Sequence, residues 1–528
     1  MSSQSTSSTP VVNGPLVPRL NIQRVTSNAT NVFPWNHLPT ELKTMILSYS
    51  CPGIPSHIAP VHFGLVCHGW RALTWTIHTW WTQIELELDP PTNGGPYTLD
   101  EVDKIEAAYR WLSRAGNRPT TIKITHLNPN RTQSITGYYL GLYEKLFKEK
   151  VPSSLGNLVL EVHPHVLGCI VELLGSNEGG CSKLMQLNVV NSWDHGLPRE
   201  HQALEVPFSV TGGTYPSLQE VSIFDTSPHG YFLRYLATSA ESCGANLTHL
   251  SLGHQQPHLE YFETIYPILQ QCVQLRTLGL TIPGWATDFE LTRTLPDPII
   301  LQHLTRLVVH IIEPLAADAE VHVLSNIRPL LLSLTLPSLQ SLSLKNDTSR
   351  WGPCIAQALA DLTYHSKFPL TRLSVEGFEL NNLLIIPLLR SLPTLERLDL
   401  ADCRLDCITL LQAVKYDPSQ STTDNSTPFL PRLCTFQLID TFDDGLHDLG
   451  EARQLLLDVV MSRWVIPYRD PMVQWQEVTI LIPPLSNLTT WDRRSKEMLE
   501  WLADEEDIEV ELIEFEEDAE NQRMEVDA

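Results

Sequence analysis

The chain has 528 residues and a formal charge of −25, with 61 Asp and Glu against 36 Lys and Arg. That length leaves room for several domains or one long repeat array, and a hydrophobic share of 42% is ordinary for a chain that buries a core. The acidic balance argues against nucleic acid and anionic membranes as partners, since both need surplus cations, and no apolar run reaches the length of a membrane span.

Residues 1–31 have the Ser- and Thr-rich composition of a disordered arm. The start has neither the basic stretch nor the apolar centre of a secretory signal, so the expected compartment is the cytoplasm or the nucleus. Next comes Leu38-Pro39-Thr40-Glu41-Leu42. Pro39 suits a first helical turn, and Leu42, Met45, Ile46 and Tyr49 then recur at helical spacing as one apolar stripe. Val66-Cys67-His68-Gly69-Trp70-Arg71-Ala72-Leu73 and Trp80-Trp81-Thr82-Gln83-Ile84 close the block. A module of about fifty residues has little core of its own, so part of the stripe is expected to meet a partner or the following domain. The plainer reading makes Leu42, Ile46, Trp70 and Leu73 core of a helical cap.

In this order, those blocks resemble an F-box over roughly residues 33 to 88. The F-box is the helical module through which substrate receptors join SCF-type ubiquitin ligases. The resemblance implies that Leu38, Pro39, Leu42, Ile46, Val66, Trp70 and Leu73 hold the Skp adaptor and, through it, a cullin. Ser50-Cys51-Pro52-Gly53-Ile54-Pro55 departs from the compact form of the family as a longer, Pro-rich connection. Residues 91–118 read as a linker with an amphipathic capping helix, Leu99 to Ser113. The run from Trp111 to Pro119 resembles the junction between helix and first strand in many fungal F-box proteins with repeats.

A Leu-x-x-Leu-x-Leu unit then returns along most of the chain. It reads Leu155/Leu158/Leu160, Leu184/Leu187/Val189, Leu218/Val221/Ile223, Leu247/Leu250/Leu252, Leu275/Leu278/Leu280, Leu304/Leu307/Val309, Leu339/Leu342/Leu344, Leu370/Leu373/Val375, Leu395/Leu398/Leu400 and Leu433/Phe436/Leu438. Spacings of 29, 34, 29, 28, 29, 35, 31, 25 and 38 residues separate the first positions. Ile122-Lys123-Ile124 begins the series, and Trp475/Val478/Ile480 extends it. The last two apolar positions of a unit lie two apart, so on a short strand they share one face. Helical periodicity fills the gaps at Tyr138 to Lys148, His258 to Cys272, Cys354 to Tyr364, Asn382 to Leu392 and Leu446 to Trp464.

The expected fold class is therefore α/β. A small N-terminal helical F-box-like module at 32–90 precedes a curved leucine-rich-repeat solenoid at 119–513, with a concave parallel sheet and helices on the convex side. Asp507 to Leu512 alternates apolar and acidic residues, as a charged final strand that blocks edge pairing. Asp417 to Pro428 reads as an inserted loop, and residues 514–528 as an acidic disordered tail.

Chemistry is sparse. The ten cysteines are scattered, and the close pair Cys403 and Cys407 has no second pair to complete a zinc site, so buried thiols and no metal are expected. No catalytic or phosphate-binding motif is found; His163, His165, Asp194, His195 and His201 read as surface groups. The chain is expected to be no enzyme and to carry no cofactor.

Binding is left, on the residues flanking the inward leucines: Asn188, Phe224, Thr277 and Ser343, and the substrate-binding candidates His249, Arg306, His310, Lys345, Arg372, Glu376, Arg397 and Asp399. Arg306, Lys345, Arg372 and Arg397 are expected to form a basic stripe for an acidic or phosphorylated segment of an unknown protein substrate, or to be solvating residues only. From Asp504 to Ala528 there are thirteen Asp and Glu against one Arg, so the tail itself is a second candidate occupant of the stripe. Two function classes follow: a substrate receptor of a ubiquitin ligase that works by proximity, and a non-degradative repeat scaffold or sensor.

Overall fold

The computed structural model describes residues 38–49, 59–88, 99–126, 141–150, 154–162, 183–191, 215–225, 244–254, 261–283, 298–312, 327–347, 355–415, 429–439, 477–481 and 509–511, with single positions between 167 and 463. The arm at 1–31, the loop at 417–428, the tail at 514–528, the linker start at 91–98, most of 446–464, Trp475, and the histidine candidates at 163, 165, 195 and 201 with Asp194 lie outside the described residues. The chain divides into two compact units, Met1–Pro55 and Ser56–Ala528.

Of the first unit, one helix is described, α1 (Thr40–Tyr49). Pro39 sits just ahead of it, and its carbonyl accepts the first helical bond from the Lys43 amide at 3.1 Å. That is the position in which the missing N–H of proline costs least.

The second unit opens with α2 (Ala59–Val66) and α3 (His68–Thr76) and continues into strands. The strands in chain order are β1 (Gln83–Leu88), β2 (Thr120–His126), β3 (Leu155–Glu161), β4 (Gln186–Asn191), β5 (Glu220–Asp225), β6 (His249–His254), β7 (Thr277–Pro283), β8 (Ile299–Ile300), β9 (Arg306–Ile312), β10 (Leu334–Thr335), β11 (Ser341–Asn346), β12 (Arg372–Glu376), β13 (Arg397–Ala401), β14 (Thr435–Ile439), β15 (Glu477–Leu481) and β16 (Glu509–Glu511). Fourteen of them form one sheet in the order in which they occur in the chain, every neighbouring pair parallel. The short strands β8 and β10 pair with each other instead, a detail for which the repeat pattern carries no signal.

Register turns the leucine pattern into two continuous rows. Ile122, Leu158, Leu187, Val221, Leu250, Leu278, Leu307, Leu342, Leu373, Leu398 and Phe436 stand side by side, and a second row runs from Leu86 and Ile124 to Leu438; all are buried. The first leucine of each unit, from Leu155 to Leu433, is buried too, just ahead of its strand or at its start. Helices supply the other half of this core. After α4 (Leu99–Leu112) come α5 (Tyr261–Gln271), α6 (Arg328–Leu332), α7 (Ala356–Ser366), α8 (Asn382–Arg390) and α9 (Cys407–Val414), and their buried Ile268, Leu331, Leu362, Leu389 and Leu411 join the strand leucines in one cluster. Asn381 caps α8 by accepting from the Leu383 amide, and Asp406 caps α9 by accepting from that of Thr409, which fixes where these helices start. The opposite sheet face carries mostly polar and small residues of the alternation, with Val159, Val190, Phe224 and Val308 among them, and most are half-buried or exposed, so among the described residues this face is more open than the helix-covered one.

One expectation needs correction. Residues 83–88, read as the end of the helical module, form β1, and the sheet starts one strand before Ile122. Their alternation of Ile84, Leu86 and Leu88 with Glu85 and Glu87 is the reason: Leu86 and Leu88 enter the core and the glutamates stay on the open side.

Tryptophans join the helices to this first strand. Trp81 is 2% exposed, donates from Nε1 to the Thr74 carbonyl at 2.9 Å and meets Trp111 edge-on at 4.6 Å. The Arg114 guanidinium lies 4.5 Å above Trp81 and 4.9 Å above Trp75, a cation–π arrangement.

Candidate functional site

In the first unit, α1 presents Leu42, Met45, Ile46 and Tyr49 at 43%, 52%, 39% and 79% exposure, while Leu47 is buried. Pro39 is exposed and Leu38 half-buried. In the second unit, Val61, Leu65, Val66 and Trp75 are exposed, at 48%, 72%, 60% and 50%, and Trp70 and Leu73 are half-buried. Trp70 and Trp80 both rest on Phe63, at ring separations of 5.6 and 5.4 Å. So Trp70 has a packing role in its own helix pair, whereas Leu42, Ile46 and Val66 expose apolar surface to water, which is unfavourable unless a partner covers it.

The sheet's open face places the substrate-binding candidates in three rows. His249, Arg306, Arg372 and Arg397 share one row, with Thr277 between His249 and Arg306, and Ser341 between Arg306 and Arg372. Lys345 lies four residues further along its strand, in the row of His310 and Glu376, and Asp399 lies in the row between. The expected stripe of four cations is thus not one row.

It is also largely neutralised. Lys345 reaches Asp347 at 3.1 Å and Glu376 at 3.0 Å, and His310 shares a short hydrogen bond with the same Asp347. The bond to Glu376 first, then that to Asp347, raises the Lys345 pKa. Burial works to raise the Asp347 carboxyl, but the bonds and charges of His310 and Lys345 outweigh it and hold it below the usual range. One strand on, Asp399 takes Arg372 at 3.2 Å and Arg397 at 2.9 Å, and Arg397 also donates to Gln437 at 3.1 Å. Arg306 is exposed, and its guanidinium meets no carboxylate among the described residues. A matching cluster lies at the other end, where Lys123 bridges Glu85 at 2.8 Å and Glu161 at 3.2 Å across three strands. The sequence shows these charges but not their partners, because residues about thirty positions apart become neighbours only through register.

His249 belongs to a different feature. An open groove of about 680 Å³ runs along the rim at which β2 to β7 begin. Met185, Gln219, Thr248 and Arg276 line it, each the residue just after the first leucine of its repeat, with Pro119 at one end. Lys183, Pro216, Ser217, Asn246 and His249 are the other described residues of the lining, and no Asp or Glu is among them. The Asn246 amide donates to the Pro216 carbonyl at 2.9 Å, and the Thr248 hydroxyl lies within hydrogen-bond distance of His249 Nδ1 and of the Gln219 carbonyl, at 2.9 and 3.1 Å. Among the described residues, the side chains of Lys183 and Arg276 meet no carboxylate. The spacing of the repeats held the signal for this rim, at the position after each first leucine.

Among the described residues no group of three His, Cys, Asp or Glu is placed to hold a metal ion. No described helix is long and apolar enough to cross a membrane. Cys403 is buried, and desolvation pushes its thiol up to about 12, so it sits in the core as an apolar group. Comparison with family models and with curated proteins finds no match for this chain.

Proposed function

We propose that this chain is the substrate-recognition subunit of an SCF-type ubiquitin ligase. Its N-terminal helices, an F-box, bind the Skp adaptor and through it a cullin, and its strands and helices, a leucine-rich-repeat solenoid, hold a protein substrate. The observation that carries the reading is the exposure of Leu42, Ile46 and Val66, at 43%, 39% and 60%, within the blocks that resemble an F-box. A self-contained helical cap would bury such side chains, since each buried apolar residue of this size contributes about 2 kcal/mol. The parallel sheet in chain order, repeating at near thirty residues, supports the repeat half of the reading. The mechanism is proximity alone: the receptor raises the local concentration of its substrate beside a conjugating enzyme carried by other subunits, and needs no catalytic group.

The test is capture of purified Skp adaptor by the full chain, wild type against Leu42→Asp/Val66→Asp. Both side chains are exposed, so the variant keeps its fold by circular dichroism. Saturable binding in the wild type, lost by at least about a hundredfold in the variant, is the expected result. No binding by the wild type overturns the proposal, and adaptor captured without cullin favours a non-degradative scaffold.

A further inference from the structure

The rim groove and the clusters on the open face treat charge in opposite ways. Lys345, Arg372 and Arg397 are each met by a carboxylate of the sheet itself, so little of their charge is left for a ligand. Lys183, Arg276 and His249 line a groove with no acidic residue among its described walls, in a chain whose formal charge is −25. The carboxylate beside it, that of Glu220 at the start of β5, is held by the Gln186 amide at 2.9 Å.

We propose that the rim groove binds an extended, Asp- and Glu-bearing segment of a partner protein, with Lys183 and Arg276 taking its carboxylates. The proposal rests on the reading of the chain as a substrate receptor and specifies what that receptor recognises. Dimensions favour a peptide. From β2 to β7 there are five strand spacings, roughly 24 Å in all, which an extended segment of about seven residues spans. Between Lys183 and Arg276 the lining carries Ser217, Gln219 and Thr248, groups that exchange hydrogen bonds with a peptide backbone. A nucleic acid is a poor fit, because the two cations Lys183 and Arg276 cannot offset its phosphates against the repulsion of the acidic chain. That same repulsion sharpens selection, since an acidic segment is turned away from most other places on the molecule.

The experiment measures fluorescence anisotropy of a short dye-labelled peptide of alternating Glu and Ser with the full chain. The expected result is saturable binding that weakens as salt rises, is absent for the Gln counterpart, and falls at least about tenfold in Lys183→Glu/Arg276→Glu. Lys345→Ala/Arg372→Ala serves as the control and binds within about twofold of wild type. The proposal is overturned when the groove variant binds as wild type does, or when the loss appears in the control variant instead. Skp adaptor capture is measured on the same proteins. Adaptor capture by both forms with unchanged peptide binding removes the groove and leaves the receptor reading; peptide binding lost in the groove variant, with no adaptor capture by any form, does the reverse.

Discussion

The side-chain amide of Asn346 donates to the carbonyl oxygen of Gly377 at 2.8 Å, and a Cβ built on Gly377 collides with the carbonyl oxygen of Asn346. The two residues stand at the ends of β11 and β12, Asn346 is 4% exposed, and the Gly377 amide donates to Ala401 of β13 at 3.0 Å. Gly377 has φ of 76°, a left-handed conformation open to glycine and strained for alanine. Three strand ends are thus tied by one close backbone approach. Gly377→Ala is expected to destabilise the protein by at least about 2 kcal/mol, and Asn346→Ala by about 1–2 kcal/mol. Urea unfolding checks both; a Gly377→Ala midpoint equal to wild type contradicts the account.

Acid sensitivity is built in at His126. The ring is 6% exposed and shares a 2.6 Å hydrogen bond with the Tyr143 hydroxyl, and desolvation lowers its pKa from 6.5 to about 3. Below pH 6.5 the unfolded chain takes up a proton that the folded chain refuses, so stability falls with pH through this window. The loss is about 1.4 kcal/mol per pH unit and levels off near the folded pKa. His126→Gln keeps a polar partner for Tyr143 and is expected to flatten the decline between neutral pH and pH of about 4. Denaturant midpoints across that range decide the matter, and parallel declines in the two proteins exclude His126 as the origin.

Arg463 is 1% exposed and donates to the carbonyls of Val414 at 3.0 and 3.1 Å, of Leu430 at 2.9 Å and of Phe429 at 2.6 Å. Val414 is the last residue of α9, so a fixed cation sits at the negative end of that helix. Arg463→Met fills the space but strands three carbonyls, at a cost of about 3 kcal/mol, and Arg463→Lys restores little because one ammonium cannot span the set. Hydrogen exchange in 407–415 and 429–439 is expected to quicken in both variants. Unchanged protection there argues against the staple.

The core was readable from the chain because it rests on spacing. Leu-x-x-Leu-x-Leu places two side chains on one face of a strand whatever surrounds it, and the rows from Leu158 to Phe436 follow. Strand β1 is masked in the sequence because Trp80 and Trp81 draw Gln83 and Ile84 into the helical block, although Ile84, Leu86 and Leu88 alternate as a strand should. Positions of the candidate binding residues on the open face were equally legible, but their pairing was not. Whether Arg372 is free or tied to Asp399 depends on a contact across 27 residues, which only the register of β12 against β13 brings about. The rim groove was legible only in part: the position after each first leucine marks its wall, but that residues from Pro119 to Arg276 line one groove follows from register.

The fourteen strands of the large sheet, laid down in chain order, also determine how the second unit yields to force. Among the described residues, each strand of this sheet pairs only with the sheet strands next to it in chain order, so load along the sheet passes from one interface to the next, as through springs in series, and a small change of twist at each is shared by all. Such a body bends by distributing deformation rather than by turning at a hinge. It can also tear one strand at a time from an end, which makes β1 and β16 the places where mechanical failure begins.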